Sequence, residues 1–310
     1  MTFTAIDWGT TEFRLAVVDA PSMTARHELR RPAGVAHHGL SAAAAAEHCA
    51  RFLAGVLAEL PTAYAGAPVV VSGMASSALG LRELPYARLP LDPAAPDLRS
   101  AWVPLPGGRR VLLISGLRGP EDVMRGEEVQ ALGLADWLRA GAGGGPATLL
   151  LPGTHCKHLT FDGRRYTAFR TYLTGERFAL LAERSLLRHA VRPGPLDATA
   201  RAAFAAGVGE GAAGRLAERL FGLRARQLDG RGSPVDRYHY LSGLLIGEEL
   251  RELAADGGPV FLAAAGPLAE AYGLALEQLL GPERVHRTTA DELERATRRA
   301  QGRLLAAATE

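Results

Sequence analysis

The segment Asp7-Trp8-Gly9-Thr10-Thr11 combines residue types that could hold a phosphate and a metal ion. An apolar run precedes it and a β-favouring run follows it, which predicts a tight hairpin with this segment at the turn. Gly9 lets the backbone approach a phosphate, and Thr10 and Thr11 supply amide and hydroxyl donors. Asp7 is placed to hold Mg²⁺, through water because this ion sheds its waters reluctantly. An ordinary hairpin whose aspartate caps its own turn is the structural alternative.

A second Gly-Thr turn occurs at Gly153-Thr154, directly after the apolar residues 148–151. Another strand-like segment follows and ends at an Asp-Gly pair, which is a strong hairpin signal. The opening pattern therefore repeats, and this indicates an internal duplication. Two copies facing each other could grip a triphosphate from both sides. His155 or Lys157 could add positive charge near its terminal phosphate, although each is equally well explained as a surface residue.

Strands and helices alternate in both halves, which predicts an α/β fold with mainly parallel later strands. A third strand is expected from residue 24 to 31, continued to Ala36, whereas the Pro-rich residues 85–106 look irregular. The further predicted strands are 68–71, 110–114 and 260–264, and the predicted helices are 42–60, 122–139, 175–189, 241–250, 268–280 and one from 289.

The glycine-rich residues 140–146 cannot hold a helix and form the expected boundary between two domains, 1–142 and 147–310. The length of 310 residues and the hydrophobic content of 47% suit two packed cores. A net charge of +2 gives no indication of a nucleic-acid or membrane surface.

Cys49 and Cys156 are the only cysteines in the sequence, too few for a disulfide framework or a cysteine-based zinc site. The apolar runs are too short to cross a bilayer. The first residues lead straight into a predicted strand without a secretory leader. We therefore expect a cytoplasmic protein.

Five segments together resemble the 2-dehydro-3-deoxygalactonokinase family of the sugar kinase/Hsp70/actin superfamily. They are I-D-W-G-T-T at 6–11, V-M-R-G-E-E at 123–128, L-P-G-T-H-C-K at 151–157, F-R-T-Y-L-T-G-E at 169–176 and S-G-L-L-I-G-E-E at 242–249. The first segment is generic to the superfamily, whereas the middle three together are specific to this family. The segments are spread over nearly the whole chain.

This resemblance implies two duplicated ribonuclease H-like (actin-like ATPase) domains facing a central cleft. Residues 1–142 would bind the sugar acid and carry the first phosphate turn, and residues 147–310 would carry the second turn and the adenosine site. The implied reaction is ATP-dependent phosphorylation of 2-dehydro-3-deoxy-D-galactonate at its 6-hydroxyl, with Mg²⁺. The implied partners are these small molecules, without nucleic acid or membrane. The sequence leaves the oligomeric state open, a homodimer being one arrangement.

One departure from the wider superfamily concerns the proton acceptor. Many of its sugar kinases carry an aspartate at the second phosphate turn, but residues 151–155 contain no carboxylate. Asp122, Glu127 and Glu128 are the candidate bases, since a carboxylate within reach of the attacking hydroxyl is required. Adjacent helical residues point about 100° apart, so Glu127 and Glu128 cannot both face one spot. Glu127 is the preferred base, and a solvated acidic face is the alternative.

The carboxylate of the substrate requires a counter-charge, for which a planar guanidinium is well suited. Arg118, Arg125 and Arg170 lie in or after the motif turns, and Arg125, inside the family segment, is preferred; an ordinary surface arginine is the alternative. Further substrate contacts are expected at the end of a buried strand, where open α/β sheets bind ligands. These candidates are Ser72, Gly73 and Met74, with a plain β–α loop as the alternative.

Gly266 follows a buried strand, where a residue without a side chain would let the adenosine lie against the backbone. A tight strand-to-helix turn explains this glycine nearly as well. Gly243 and Gly247 are one helical turn apart and are better explained by close helix packing than by a ligand. Cys156 has no neighbouring base in the sequence that would make it a nucleophile.

Three other functions stay open at this level. The chain could be a kinase of the same fold acting on another sugar or sugar acid, or a phosphatase-like hydrolase. It could also be a non-catalytic sensor of sugar acids. Asp7 and the two Gly-Thr turns argue against the sensor, because a sensor has no need to grip a triphosphate.

Overall fold

The structure is a computed structural model that describes residues 1–35 and 41–308. The strands are β1 (Thr2–Trp8), β2 (Phe13–Asp19), β3 (Ala25–Arg31), β4 (Val69–Gly73), β5 (Ala87–Arg88), β6 (Ser100–Pro104), β7 (Arg110–Ile114), β8 (Leu117–Arg118), β9 (Val123–Met124), β10 (Ala147–Leu151), β11 (Cys156–Phe161), β12 (Tyr166–Tyr172), β13 (Val260–Leu262) and β14 (Val285–Arg287). The helices are α1 (Ala42–Ala58), α2 (Glu127–Gly141), α3 (Thr174–Arg184), α4 (Ala198–Ala212), α5 (Leu216–Leu228), α6 (Pro234–Leu250), α7 (Gly266–Leu280) and α8 (Ala290–Ala307). Strand β3 ends at Arg31, so the expected continuation through Gly34 and Val35 is wrong, and Ala36 lies outside the described residues.

The chain divides into two compact units. Unit 1 contains Met1–Ala140, Arg164–Ala168 and the chain from Asp291 onward, and unit 2 contains Gly141–Gly163 and Phe169–Ala290. The first passage from unit 1 to unit 2 thus falls in the glycine-rich segment.

Helix α8 departs from the predicted second domain, because it belongs to unit 1. The side-chain amide of Gln301 donates to the Ile6 carbonyl (2.8 Å) and to the Ser72 hydroxyl (3.0 Å), both in the sheet of unit 1. The α8 backbone also fills the space beside Gly133, where a Cβ would stand 1.9 Å from the Ala296 carbonyl oxygen. Long-range packing therefore decides where this helix belongs.

The sheet of unit 1 has the strand order β3-β2-β1-β4-β7-β6. Strands β1 to β3 form an antiparallel meander, β4 and β7 run parallel to β1, and β6 is antiparallel to β7. The aromatic rings of Trp8, Phe13 and Phe52 pack together between this sheet and α1, with centroids 5.2–5.3 Å apart. Burial of these large rings contributes strongly to the core.

The sheet of unit 2 has the order β12-β11-β10-β13-β14, with β10 and β11 antiparallel and β13 and β14 parallel to β10. This order repeats the order β3-β2-β1-β4-β7 in the sheet of unit 1, so the predicted duplication is confirmed. An antiparallel meander extended by parallel strands is the ribonuclease H-like arrangement, and the predicted fold class of each half is therefore confirmed.

Helices α4 and α6 of unit 2 pack with their backbones in close contact. A Cβ on Gly243 would stand 2.2 Å from the Phe204 carbonyl oxygen, and one on Gly247 would stand 2.2 Å from the Val208 carbonyl oxygen. The interpretation of these glycines as a packing face is confirmed. Helix α6 also begins earlier than predicted, because Ser233 caps its N-terminus in a capping box.

The helix predicted over residues 122–139 begins only at Glu127. The residues expected to form the first turn of this helix instead form strand β9, which pairs with β8 in a small sheet with the order β5-β8-β9. Gly126 then takes φ +114°, which is incompatible with a continuous helix. Residues 85–106, predicted as irregular, contain β5 and β6.

None of the helices within the described ranges is both long and apolar enough to span a membrane.

Candidate active site

The first Gly-Thr turn joins β1 to β2 in unit 1, as predicted. The Gly9 amide donates to the Glu12 carbonyl (2.9 Å), while Thr10 and Thr11 are exposed. Gly34 packs against the turn so closely that a Cβ there would stand 2.0 Å from the Thr10 carbonyl oxygen. The two threonines therefore lie at the surface on a backbone that is fixed by its neighbours.

Asp7 lies near the end of β1, in register with Arg14 of β2 and Ser72 of β4. The Arg14 guanidinium is 3.5 Å from Asp7 Oδ2 but only 2.5 Å from the Glu12 carboxylate. Burial raises the pKa of Asp7, and Arg14 offsets only part of this effect. The negative charge of Asp7 is thus incompletely compensated by protein groups.

An incompletely compensated carboxylate beside the Gly-Thr turn fits the requirements of a hard divalent cation. Across residues 1–35 and 41–308, no three His, Cys, Asp or Glu side chains group together as a protein-only metal site. A single carboxylate nevertheless suits Mg²⁺, which keeps several waters and takes other ligands from substrate phosphates. Asp7 therefore fits the predicted role.

The end of β4 lies beside Asp7. Ser72 is buried, and its hydroxyl donates to the Ile6 carbonyl (3.4 Å) while accepting from the Gln301 amide (3.0 Å). Gly73 has φ +92°, and a Cβ there would stand 2.6 Å from the Trp8 carbonyl oxygen. The hydroxyl of Ser72 thus makes its contacts inside unit 1, and Gly73, which is also buried, ends β4 in a backbone conformation that favours glycine.

The family-like segment 123–128 packs against Asp7 and Gly73. A Cβ on Gly126 would stand 3.3 Å from the Gly73 Cα and 3.9 Å from Asp7 Oδ1. Glu127, the next residue, is the first residue of α2, and its Oε2 accepts from the Arg125 amide (3.1 Å). The structure therefore brings the preferred base into the neighbourhood of Asp7.

The two adjacent glutamates lie in different environments, as their helical spacing predicts. Glu128 is buried, and both its carboxylate oxygens lie 2.8–2.9 Å from the Gly126 amide. Burial, reinforced by the charge of Glu127, raises the pKa of Glu128 to about 8. Glu128 thus supports the turn before α2, and Glu127 is the glutamate that is partly accessible.

The other predicted residues of unit 1 have distinct surroundings. Arg125 donates to the Ser76 carbonyl (2.6 Å) and hydroxyl (2.7 Å), and its guanidinium lies 4.2 Å from the centroid of the Tyr86 ring. It therefore holds the loop after β4. Arg118 is exposed on β8. Asp122 Oδ1 accepts from the following backbone amide (2.7 Å) at the start of β9.

The second Gly-Thr turn joins β10 to β11 in unit 2 and packs against the start of α3. A Cβ on Gly175 would stand 2.4 Å from the Gly153 carbonyl oxygen, and the Glu176 amide donates to the Thr154 carbonyl (3.0 Å). The Glu176 carboxylate lies 2.6 Å from His155 Nε2. The segments 151–157 and 169–176 thus form one local structure that orients His155.

The two remaining cationic residues that the sequence predicts for the site, Lys157 and Arg170, also have protein partners in unit 2. Lys157 is buried, and its Nζ donates to the Thr171 hydroxyl (2.7 Å) between β11 and β12. Arg170 is exposed and forms an ion pair with Glu252. Arg170 belongs to unit 2, whereas the other predicted substrate residues belong to unit 1.

An apolar cavity of about 370 Å³ lies beside the second turn. Gly153, Thr174 and Gly175 line it on the side of the turn, and Pro267 and Leu268 line it on the side of α7. The other lining residues are Phe178, Gly194, Pro195, Leu196, Phe204, Tyr238, His239, Ser242, Leu245, Ile246, Glu270, Ala271 and Tyr272. Gly266, against whose backbone the adenosine is predicted to lie, directly precedes Pro267 in this lining.

Arg14, Glu176 and Glu249 were not identified from the sequence as site residues. Glu176 and Glu249 stand in family-like segments, but only the fold shows that Glu176 meets His155 and that Glu249 meets Tyr272. The period-two register of the first hairpin could have placed Arg14 opposite Asp7.

Two ribonuclease H-like sheets, each with a Gly-Thr turn between its first two strands, define the actin-like class of ATP-using proteins that includes sugar kinases. Within this class the chain matches the 2-keto-3-deoxy-galactonokinase family over residues 7–299. The chain therefore belongs to this kinase family.

Individual relatives agree with this assignment. A Rhizobium meliloti (strain 1021) protein named probable 2-dehydro-3-deoxygalactonokinase is 34% identical over 89% of both chains. The 2-dehydro-3-deoxygalactonokinase of Escherichia coli (strain K12) is 32% identical over 89% of this chain and 90% of its own. A crystal structure is known for a Sinorhizobium meliloti protein that has been given the same name on a provisional basis. It matches this chain with a TM-score of 0.82 and 32% identity, over 97% of this chain and 96% of its own.

Proposed function

We propose that the protein transfers the γ-phosphoryl group of ATP to the 6-hydroxyl of 2-dehydro-3-deoxygalactonate. The observation that carries this proposal is the contact of the family-like segment 123–128 with Asp7 and Gly73 in unit 1. The relatives at 32–34% identity supply the substrate through their names.

The nucleotide is assigned to unit 2. The apolar cavity beside Gly153 has a size and lining suited to an adenosine, with Gly266 and Pro267 at the start of α7 as its shelf. Phosphates at the second turn would meet the N-terminus of α3, whose helix dipole favours negative charge. His155, oriented by Glu176, adds a donor beside the terminal phosphate.

The first turn and Asp7 are assigned to the transferred phosphoryl group. Bound Mg²⁺ would neutralise phosphate charge, held by Asp7 through water. Thr10 and Thr11 would donate to phosphate oxygens from the fixed turn. Lys157 would contribute positive potential from its buried position rather than a direct contact.

The sugar acid is assigned to unit 1. Glu127 accepts the proton of the 6-hydroxyl as the oxygen attacks the phosphoryl group directly, without a covalent enzyme intermediate. Gly73 and Met74 present the end of β4 to the sugar. Arg118 meets the substrate carboxylate, while Arg125 acts by holding the loop of Ser76.

Three further predicted site residues have indirect roles in this proposal. Ser72 joins β4 to β1 and α8, and Arg170 is paired with Glu252. The Asp122 carboxylate accepts a hydrogen bond from the Val123 amide at the start of β9. Each would therefore support the site without touching the substrate.

A coupled ADP-release assay with MgATP tests the proposal. The acceptors are 2-dehydro-3-deoxygalactonate, its gluconate epimer, galactose, glucose and none. We expect turnover with the sugar acids only, and Glu127→Gln to lower kcat by about 10²–10⁴. Glu47→Gln, which removes an exposed carboxylate from α1, is the control and should retain full activity.

Each other result supports a different function. Turnover of neutral hexoses would indicate a different sugar kinase, and ADP release without acceptor would indicate a hydrolase. Nucleotide binding without turnover of any acceptor would indicate a sensor.

The proposal also places the protein in the cytoplasm, where ATP is available, and takes a homodimer as its oligomeric state. Cell fractionation and light scattering of the purified protein test these two points.

A further inference from the structure

Buried side chains form a continuous hydrogen-bonded chain beneath the second phosphate turn. The Tyr272 hydroxyl donates to Glu249 Oε2 (2.7 Å), and the other oxygen of Glu249 lies 2.8 Å from His158 Nε2. Cys156 Sγ lies 2.9 Å from the Tyr272 hydroxyl and 3.4 Å from the Gly153 carbonyl oxygen. All four of these side chains are buried.

The direction of these hydrogen bonds follows from the groups involved. A carboxylate only accepts, so the single hydroxyl proton of Tyr272 is directed to Glu249. The thiol of Cys156 is then the donor, shared between the Tyr272 oxygen and the Gly153 carbonyl. Burial raises the pKa of Cys156 to about 12, which keeps the thiol protonated as this arrangement requires.

The two ends of this chain reach different parts of the proposed nucleotide site. Gly153 belongs to the phosphate turn, and Cys156 is the first residue of β11. Tyr272 belongs to α7, the helix whose first residues form the adenosine wall, and both Gly153 and Tyr272 line the cavity. The chain therefore connects the wall to the turn by side-chain hydrogen bonds.

We propose that Tyr272 and Cys156, with Glu249 orienting Tyr272, are positioning residues that fix the phosphate turn relative to the adenosine cavity. This inference rests on the proposed nucleotide site. The connection matters only to a ligand that occupies the cavity and the turn together. ATP should therefore depend on it, whereas adenosine should not.

Calorimetric titration of the full-length protein with MgATP and, separately, with adenosine tests this inference. Tyr272→Phe removes one oxygen atom, and we expect it to weaken ATP binding about five- to tenfold, as for the loss of one buried hydrogen bond. Adenosine binding should stay within about twofold, because the apolar contacts of the cavity remain. The KM for the sugar acid should not change.

Two further variants separate positioning from general damage to the fold. Cys156→Ala should reproduce the selective loss of ATP binding, and Cys156→Ser, which keeps a donor, should restore it. Tyr240→Phe is the matched control, since Tyr240 is equally buried and its hydroxyl has no hydrogen-bond partner among the residues that the structure describes. It should leave both affinities unchanged.

The inference is wrong if Tyr272→Phe leaves the affinity for ATP unchanged, or weakens ATP and adenosine equally. A loss of ATP binding in Tyr240→Phe would likewise contradict it. If the wild-type protein binds ATP but adenosine neither binds nor competes, the assignment of the cavity itself fails. That result is distinct from a failure of the hydrogen-bonded chain.

Discussion

Gly126 and Gly73 meet so closely that a Cβ on Gly126 would stand 3.3 Å from the Cα of Gly73. Both have positive φ, +114° and +92°, which L side chains rarely adopt. This contact joins the start of α2 to the end of β4 and holds Glu127 near Asp7. The candidate site of unit 1 thus depends on two residues that have no side chain.

Replacing Gly126 with alanine should therefore impair activity more than stability. We expect a stability loss of about 1–2 kcal/mol from the positive φ. Displacement from Gly73 should in addition lower kcat/KM for the sugar acid by at least about tenfold, since catalysis depends on sub-ångström positioning. Urea unfolding and the ADP-release assay measure the two effects.

Gly107→Ala provides the matched control. Gly107 also has positive φ, +84°, but nothing lies within 4 Å of a Cβ there. This variant should lose similar stability and keep its activity. Equal losses of activity in both variants would show that the Gly126 contact does not serve the site.

The partly buried carboxylate of Asp7 should make stability depend on pH. Its folded-state pKa is raised above the ordinary 3.8, so the folded state retains a proton that the unfolded state has released. Stability attributable to Asp7 therefore falls as pH rises from 3.8 through the raised pKa, and the penalty is complete above it. Asp7→Asn should be more stable than the wild type at pH 7, because the amide carries no charge to desolvate. Urea unfolding between pH 3 and 8 checks this.

A bound cation should remove the same penalty in the wild-type protein. With ATP present, Mg²⁺ should raise the Tm of the wild type above that measured with ATP and a chelator. Asp7→Asn should lose this difference and its kinase activity. An unchanged Mg²⁺ effect in the variant would mean that Asp7 is not the residue that holds the ion.

His155 and Glu176 should act as one functional pair. Their side chains lie 2.6 Å apart at the second Gly-Thr turn, so each substitution should disrupt the same orientation of the imidazole. We expect His155→Gln and Glu176→Gln each to lower kcat/KM for ATP about tenfold, and the double variant to be little worse than either. Steady-state kinetics with ATP varied measures this coupling.

The Arg170–Glu252 pair offers a comparison in the same unit. It is an exposed ion pair, so Arg170→Gln and Glu252→Gln should change kcat/KM by less than about twofold. Additive effects at His155 and Glu176, or a large loss at Arg170, would contradict these assignments.

Local sequence patterns were sufficient to predict the two Gly-Thr turns and the internal duplication. The Gly-Thr pairs follow apolar runs, and alternating strands follow them, so the two hairpins and their repetition could be predicted without long-range information. The packing of Gly243 and Gly247 could be predicted for the same reason, because spacing on one helix face determines it.

Long-range contacts decided the features that the sequence did not reveal. The pattern over residues 122–139 is helical throughout, but pairing of β9 with β8 and the φ of Gly126 delay the helix to Glu127. Helix α8 carries an arginine-rich face that gives no sign of its partner in the sequence, and its place in unit 1 follows from long-range contacts such as the hydrogen bonds of Gln301. Glu176 and His155 meet across 21 residues of sequence.

The last prediction concerns the glycines between α4 and α6. A methyl group at Gly247 would stand 2.2 Å from the Val208 carbonyl oxygen, so Gly247→Ala must push the two helices apart. Overpacking of this kind costs about 1–3 kcal/mol, and we expect a loss of stability in that range in urea unfolding. Gly222→Ala in α5 is the control, because nothing lies within 4 Å of a Cβ there. Alanine should stabilise that helix by about 0.5–1 kcal/mol. If both variants were stabilised, the close approach of α4 and α6 would not exist in solution.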